Sequence, residues 1–288
     1  MHDSSHEPLR FPPIVYVLAA VFIWSTGGVF IKLTSLDAFQ ITFFRSLLAA
    51  LTVFLITRKD GLKLDLFGVF TSIIYALLLF LFVWATKKTT AANAIFLQYT
   101  APIYILLLAP FVISEKFRWR DLVTVVCCIG GMSLFFVGQL RMDDYLGNIA
   151  ALFSGLFLGL YILLLRHPRA ERLNPAAAVI YGNLLLAVLF APAGYSALNT
   201  ITAWDAVYVS FLGIVQIGIS YVLFIKGVRG GTRPLDASLI GFIEPLLNPV
   251  WVFIFYHERP STWALAGGAI IIVTVVAHTI VGERAKST

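Results

Sequence analysis

The sequence predicts an all-α membrane protein of ten transmembrane helices arranged as two inverted five-helix repeats. Three observations predict it. Of 288 residues, 59% are hydrophobic and only 12% charged, against about 45–50% and about 25% in soluble domains. Ten apolar stretches of crossing length are separated by short polar breaks. An acid also follows a proline at one fixed distance in each half. A helix needs about 20 apolar residues to cross the hydrocarbon, so ten spans with short connections occupy nearly the whole chain.

In chain order, residues 1–13 are polar and carry prolines. They lack the cationic start, apolar core and small-residue cleavage site of a secretory leader, and are expected to form a cytoplasmic tail. The first repeat, 14–138, holds spans at 14–34, 38–57, 66–86, 91–113 and 120–138. The second span stops at Arg58-Lys59-Asp60-Gly61, the fourth at Ser114-Glu115-Lys116 and the fifth at Arg141-Met142-Asp143-Asp144, all charge and turn signals. The second repeat, 146–281, holds spans at 146–166, 176–193, 204–226, 235–256 and 262–281, followed by a cytoplasmic tail at 282–288. Its eighth span stops at Arg229-Gly230-Gly231-Thr232-Arg233-Pro234.

Orientation follows from the cations, because cytoplasmic loops hold the excess of Lys and Arg. With the N-terminus inside, 15 lie on the cytoplasmic side and 5 outside, leaving Arg45 within a span. Both termini are therefore expected in the cytoplasm, with the protein in a cell's inner membrane. The net charge of +6 is scattered among loops rather than gathered on one face, which argues against nucleic acid. Cys127 and Cys128 adjoin inside an apolar run, and His257 and His278 stand apart. Neither pair suggests a disulfide framework or a metal site, and no cofactor is expected.

The two halves correspond. Pro102 precedes Glu115 by thirteen residues, as Pro245 precedes Glu258. Ala20-Val21-Phe22 with Trp24 and Gly28 lies at one constant offset from Ala151-Leu152-Phe153 with Gly155 and Gly159. Two homologous halves with an odd number of spans must lie in opposite orientations. In secondary transporters such repeats meet around a midplane site and swing to give alternating access.

The ninth span carries Glu244, Asn248, Trp251 and Phe255 on one helix face. Glu244 lies about nine residues in, roughly 14 Å deep at 1.5 Å per residue, near the middle of the bilayer. An unpaired acid there costs about 2.5–3.5 kcal/mol, so it faces a cavity, a structural partner such as Arg45, or a proton. The cavity is the favoured reading. Pro245 and Pro249, and Pro102 in the fourth span, each remove a backbone donor and should kink or unwind their helices. Paired interruptions of this kind point to a transporter site, although a kink can also serve packing alone. Trp24 beside Gly27-Gly28 is the aromatic candidate, whereas Trp84, Trp119, Trp204 and Trp263 fall at span ends as interfacial anchors. Tyr75, Tyr99 and Tyr161 add mid-span rings, and Gln98, Gln216 and Ser220 add neutral hydrogen-bonding groups that interhelical contact explains nearly as well. Arg45 can attract a carboxylate, but a snorkelling or helix-end role is favoured. It is grouped with Glu115 and Glu258 as gate or helix-end contacts.

Taken together, these pieces resemble the drug/metabolite transporter superfamily, specifically the ten-helix EamA-type exporters, and within it the YddG-type exporters of amino acids. The resemblance covers 14–281. It rests on Trp24 with Gly27-Gly28, on Phe44-Arg45-Ser46-Leu47-Leu48-Ala49-Ala50, and on Ala91 to Pro102 followed by Glu115. In the second half it rests on Ile243-Glu244-Pro245-Leu246 followed by Glu258-Arg259. It implies inverted five-helix repeats around a central cavity and export of amino acids or related metabolites. One departure is that Ala101 stands where the second half has Glu244, so polar substrate contacts should favour the ninth span. The expected partners are a small-molecule substrate and membrane lipid. An exporter of lipophilic cations or drugs is the alternative reading, since one acid among aromatics also suits such cargo. An intramembrane enzyme is remote, because it needs a nucleophile with its base, paired acids or metal ligands at depth.

Overall fold

Proline and hydroxyl residues set the first span. Pro13 opens α1 (Pro13–Trp24) in the first turn, where its missing N–H costs no helical bond. The helix ends where the Ser25 and Thr26 hydroxyls donate to the Phe22 and Ile23 carbonyls at 2.6 and 2.7 Å, and α2 (Gly27–Leu33) resumes the span. In this computed structural model, residues 10–135, 137, 144–247, 251 and 262–287 are described, and every regular element among them is helical.

The later helices begin at polar caps. Asp37 and Gln40 form a capping box for α3 (Ala38–Thr57), Asp65 caps α4 (Leu66–Lys88), and Thr90 caps α5 (Ala91–Gln98). α6 (Ala101–Val112) has Pro102 in its first turn, and α7 (Trp119–Phe135) and α8 (Tyr145–Leu165) follow. α9 (Ala177–Leu189) bends by 63° into α10 (Ala191–Ala197), which opens on Pro192. A Thr202–Asp205 capping box starts α11 (Ala203–Phe211). A π-helical segment, Leu212–Ile219, joins it to α12 (Ser220–Arg229). α13 (Pro234–Ile240) breaks at Gly241-Phe242, residues 243–247 are helical again, and α14 (Thr262–Ser287) closes the chain.

Among the described residues, six helical stretches are long and apolar enough to cross a membrane: Pro13–Leu33, Ala38–Thr57, Leu66–Lys88, Asn93–Val112, Tyr145–Leu165 and Ala203–Arg229. Taken as one span, the bent α9–α10 pair adds a seventh. Large apolar side chains such as Leu66, Phe111, Val188 and Val273 stand exposed, as a lipid-facing surface requires. The chain is a multi-pass helical membrane protein. Of the other expected spans, α7 has 17 residues, the apolar part of α14 is Leu265–Ile280, and the ninth falls partly outside the described residues. The expected tail from residue 282 is helical, as a continuation of α14 through Ser287.

The main helix contacts run between the two halves of the chain. α4 packs on α8 and α9, α1 on α12, α3 on α9 and the π segment, and α7 on α14. This interleaving buries the mid-span polar groups in the centre of the bundle.

Candidate functional site

Two helix breaks meet at the centre. α5 gives way to α6 at Tyr99-Thr100, and α13 gives way to the helical residues 243–247 at Gly241-Phe242. Pro102 and Pro245 each sit buried in the first turn after the break, where proline suits a helix start and its predecessor resists helical geometry. The expected kinking or unwinding thus takes the form of two-residue breaks in the helices at Pro102 and Pro245. Tyr99 Oη donates to Glu244 Oε2 at 2.7 Å across the two breaks. Gly241 allows this approach, because a Cβ there would lie 2.8 Å from Tyr99 Cε1 and from the Ser238 carbonyl.

A cavity of about 40 Å³ adjoins this pair, lined by Trp24, Arg45, Gln98, Tyr99, Gln216 and Glu244 together with Leu78, Leu79, Phe82, Leu158, Ile217 and Tyr221. It has room for a few waters, so any metabolite needs the walls to part. Gln98 Nε2 donates to Ser154 Oγ at 2.7 Å, and Ser154 Oγ donates to the Leu78 carbonyl at 3.1 Å, which fixes the amide in place. Gln216 lies against Gly27, where a Cβ would come within 2.5 Å of Gln216 Nε2.

Aromatic rings pack behind the polar groups. Tyr221 lies 4.9 Å from both Trp24 and Tyr75, and 6.0 Å from Tyr161, between ring centroids. Tyr75 Oη also accepts from Asn183 Nδ2 at 3.2 Å. Gln216 lies in the π segment, whose i to i+5 bonding widens the turn, and Tyr221, in the first turn of α12, lines the same cavity.

Charged clusters lie at the ends of the bundle. Arg233 Nε donates to Glu115 Oε1 at 2.7 Å, and its Nη2 donates to Glu115 and, at 2.9 Å, to Asp121. Asp236 stands 3.5 Å from Arg233 and its Oδ1 accepts a bond at 3.0 Å from His278 Nε2, whose other ring nitrogen meets Thr124 Oγ1 at 3.0 Å. Burial alone would lower the Arg233 guanidinium, but Asp121, Asp236 and Glu115 outweigh it and hold it above its ordinary value. Elsewhere, buried Asp205 accepts bonds from Thr34 Oγ1, Ser35 N, Ser35 Oγ and Thr202 Oγ1, joining the α2–α3 turn to α11.

Several expected residues therefore converge, while others go elsewhere. Trp24, Gln98, Tyr99, Gln216 and Glu244 share the cavity, with Tyr75 and Tyr161 in the ring cluster behind it. Arg45 is corrected from a gate or helix-end contact to a cavity wall. It is 0% exposed and reaches the Leu79 carbonyl in the middle of α4 at 3.3 Å, because its helix face turns inward. No ion pair within 4.0 Å joins it to Glu244, so the suggested structural pair is absent. Ser220 is also displaced, for its hydroxyl donates to the Gln216 carbonyl in its own helix. Trp251 Nε1 donates to Ser25 Oγ at 2.9 Å and its ring meets Phe22, so it ties the ninth span to the first instead of lining the cavity. Asn248, Pro249, Phe255, His257 and Glu258 lie outside the described residues. Tyr221, Ser154 and Asn183 were missed from sequence. Only the neighbour positions of Gln216 and Ser220 hinted at Tyr221.

Comparison with known proteins agrees with this architecture. The sequence profile of the EamA-like transporter family matches residues 11–137 and again 145–279. The pseudopaline exporter CntI of Pseudomonas aeruginosa is 23% identical over 275 residues, covering 92% of this chain and 94% of that protein. The uncharacterized transporter YxxF of Bacillus subtilis is 23% identical over 287 residues, covering 95% and 91%. Human solute carrier family 35 member G1 is 20% identical over 298 residues, covering 93% and 78%. A solved crystal structure shares the fold at a TM-score of 0.79 and 18% identity, covering 95% of this chain and 98% of that one.

Proposed function

The chain belongs to the EamA-like transporter family, and on that premise we propose that it exports small metabolites, chiefly amino acids, by alternating access through the cavity at Glu244. The relatives named above are transporters by name, in agreement with a protein that is not an enzyme. The observation that carries the cargo reading is Glu244, a buried carboxylate held by Tyr99 among the rings of Trp24 and Tyr221. An ammonium group gains both the charge and the aromatic faces there.

The proposal includes ten spans in two inverted repeats, 14–138 and 146–281. The helix pairing supports it. If each span corresponds to the one five places later, α4 on α8 has its counterpart in α12 on α1, and α4 on α9 has its counterpart in the π segment on α3. The α3–α9 and α7–α14 contacts map onto themselves. The breaks before Pro102 and Pro245 correspond as well. Tyr99 and Phe242, which are equivalent under the repeat, have ring centroids 5.4 Å apart, as expected beside a two-fold axis.

The Lys and Arg distribution favours an inner-membrane protein with both termini in the cytoplasm. The Arg233 cluster then closes the cytoplasmic side, with Glu115 as a gate residue, and the Asp205 cluster closes the outer side. Alternating access requires these to part in turn.

Uptake of radiolabelled aromatic and aliphatic amino acids into proteoliposomes tests the cargo. Saturable uptake competed by unlabelled amino acid is expected. Passage of tetraphenylphosphonium with no amino acid moved would replace this reading with the drug-exporter alternative.

A further inference from the structure

We infer that Arg45 is the carboxylate anchor of the central cavity, which makes the substrate a molecule carrying both a carboxylate and an ammonium group. The inference rests on the amino-acid reading and deepens it. Arg45 is 0% exposed, yet among the described residues its Nη2 meets only the Leu79 carbonyl, at 3.3 Å, and its Nε and Nη1 have no partner. A guanidinium presents five N–H donors in a fixed fork and stays charged. Burying such a charge with one carbonyl for company is costly unless an anion arrives to complete it.

The cavity already holds an anion in Glu244, but Glu244 is bonded to Tyr99 and makes no ion pair with Arg45. Both groups line the cavity without pairing with each other. The neutral groups repeat the division, since among the described residues buried Trp24 Nε1 is a donor and Gln216 Oε1 an acceptor without a partner. Arg45 and Trp24 offer donors to a carboxylate, and Glu244 and Gln216 offer acceptors to an ammonium. A lipophilic cation satisfies the second set and leaves the guanidinium uncompensated.

The test measures proteoliposome transport of L-phenylalanine, phenethylamine, 3-phenylpropionate and tetraphenylphosphonium by wild type, Arg45→Lys and Arg45→Gln. The wild-type panel does not depend on either variant folding. Wild type should move phenethylamine roughly ten- to a hundredfold less efficiently than phenylalanine, the ratio expected for losing charge-assisted hydrogen bonds. Arg45→Gln should lose this preference and Arg45→Lys should retain part of it. Equal wild-type transport of phenylalanine and phenethylamine overturns the role of Arg45 while leaving amino-acid export intact. Arg45-dependent transport of 3-phenylpropionate without phenylalanine keeps the anchor and rejects the amino-acid reading. Transport of tetraphenylphosphonium but of neither carboxylate overturns both.

Discussion

Tyr99 and Glu244 join the two halves of the chain through one hydrogen bond of 2.7 Å. A bond to a charged group is worth about 1.5–3 kcal/mol, and here it also holds the carboxylate in one orientation. Tyr99→Phe keeps the ring that packs on Phe242 and removes only the donor. Transport kinetics should show KM for amino acid raised by about tenfold or more, and an unchanged KM would contradict a positioning role. At this scale the sequence was legible where a polar or aromatic group interrupts an apolar run near mid-span, as with Trp24, Gln98, Tyr99, Gln216 and Glu244. Arg45 was misread because depth along a helix does not tell which way a long side chain reaches. Its inward course depends on α4 and α9 packing around α3.

Among the elements, the π segment Leu212–Ile219 brings Gln216 and Ile217 to the cavity. Helical spacing of 3.6 residues places Ser220 one turn from Gln216, which is how the sequence brought Ser220 into the site. In the structure Tyr221 lines the cavity, and the Ser220 hydroxyl bonds to the Gln216 carbonyl of the preceding turn. Sequence spacing alone does not tell whether a buried hydroxyl faces the cavity or its own backbone. Ser220→Ala should leave transport within about twofold of wild type, since hydroxyls bonded within their own helix contribute little, whereas Tyr221→Ala removes a cavity ring and should abolish most of it. Equal effects in the uptake assay would contradict this division of roles between the two side chains. The helix breaks were better announced, because Pro102 and Pro245 fix where α6 and the helix after Phe242 can start. At the end of the bundle, Arg233 links Glu115 on one side to Asp121 and Asp236. Arg233→Ala leaves Asp121, only 2% exposed, without that partner. The cost should be about 2–3 kcal/mol, discounted for the partial exposure of Arg233 and Glu115. Thermal unfolding in detergent should therefore show a clear drop in Tm, larger than for Asp236→Asn, and an unchanged Tm would mark the cluster as a solvated surface group.

For the whole molecule, membrane class and multi-pass character were evident from composition, because nothing but a bilayer accommodates so apolar a chain. The Pro102–Glu115 and Pro245–Glu258 spacing suggests corresponding halves, and the family profile matches each half in turn. What sequence did not reveal is how closely the centre closes. A cavity of about 40 Å³ between charged clusters at the two ends leaves room for a few waters, so the proposed transport requires the halves to separate. Glu244 is the residue on which the proposed site rests. The most direct measurement is uptake of radiolabelled amino acids by proteoliposomes carrying Glu244→Gln beside wild type, with equal protein incorporated in each. The account predicts saturable uptake by wild type and its loss in the variant, which keeps the shape of the side chain and removes its charge. Equal uptake by the two proteins would show that Glu244 serves packing alone and would contradict the central claim.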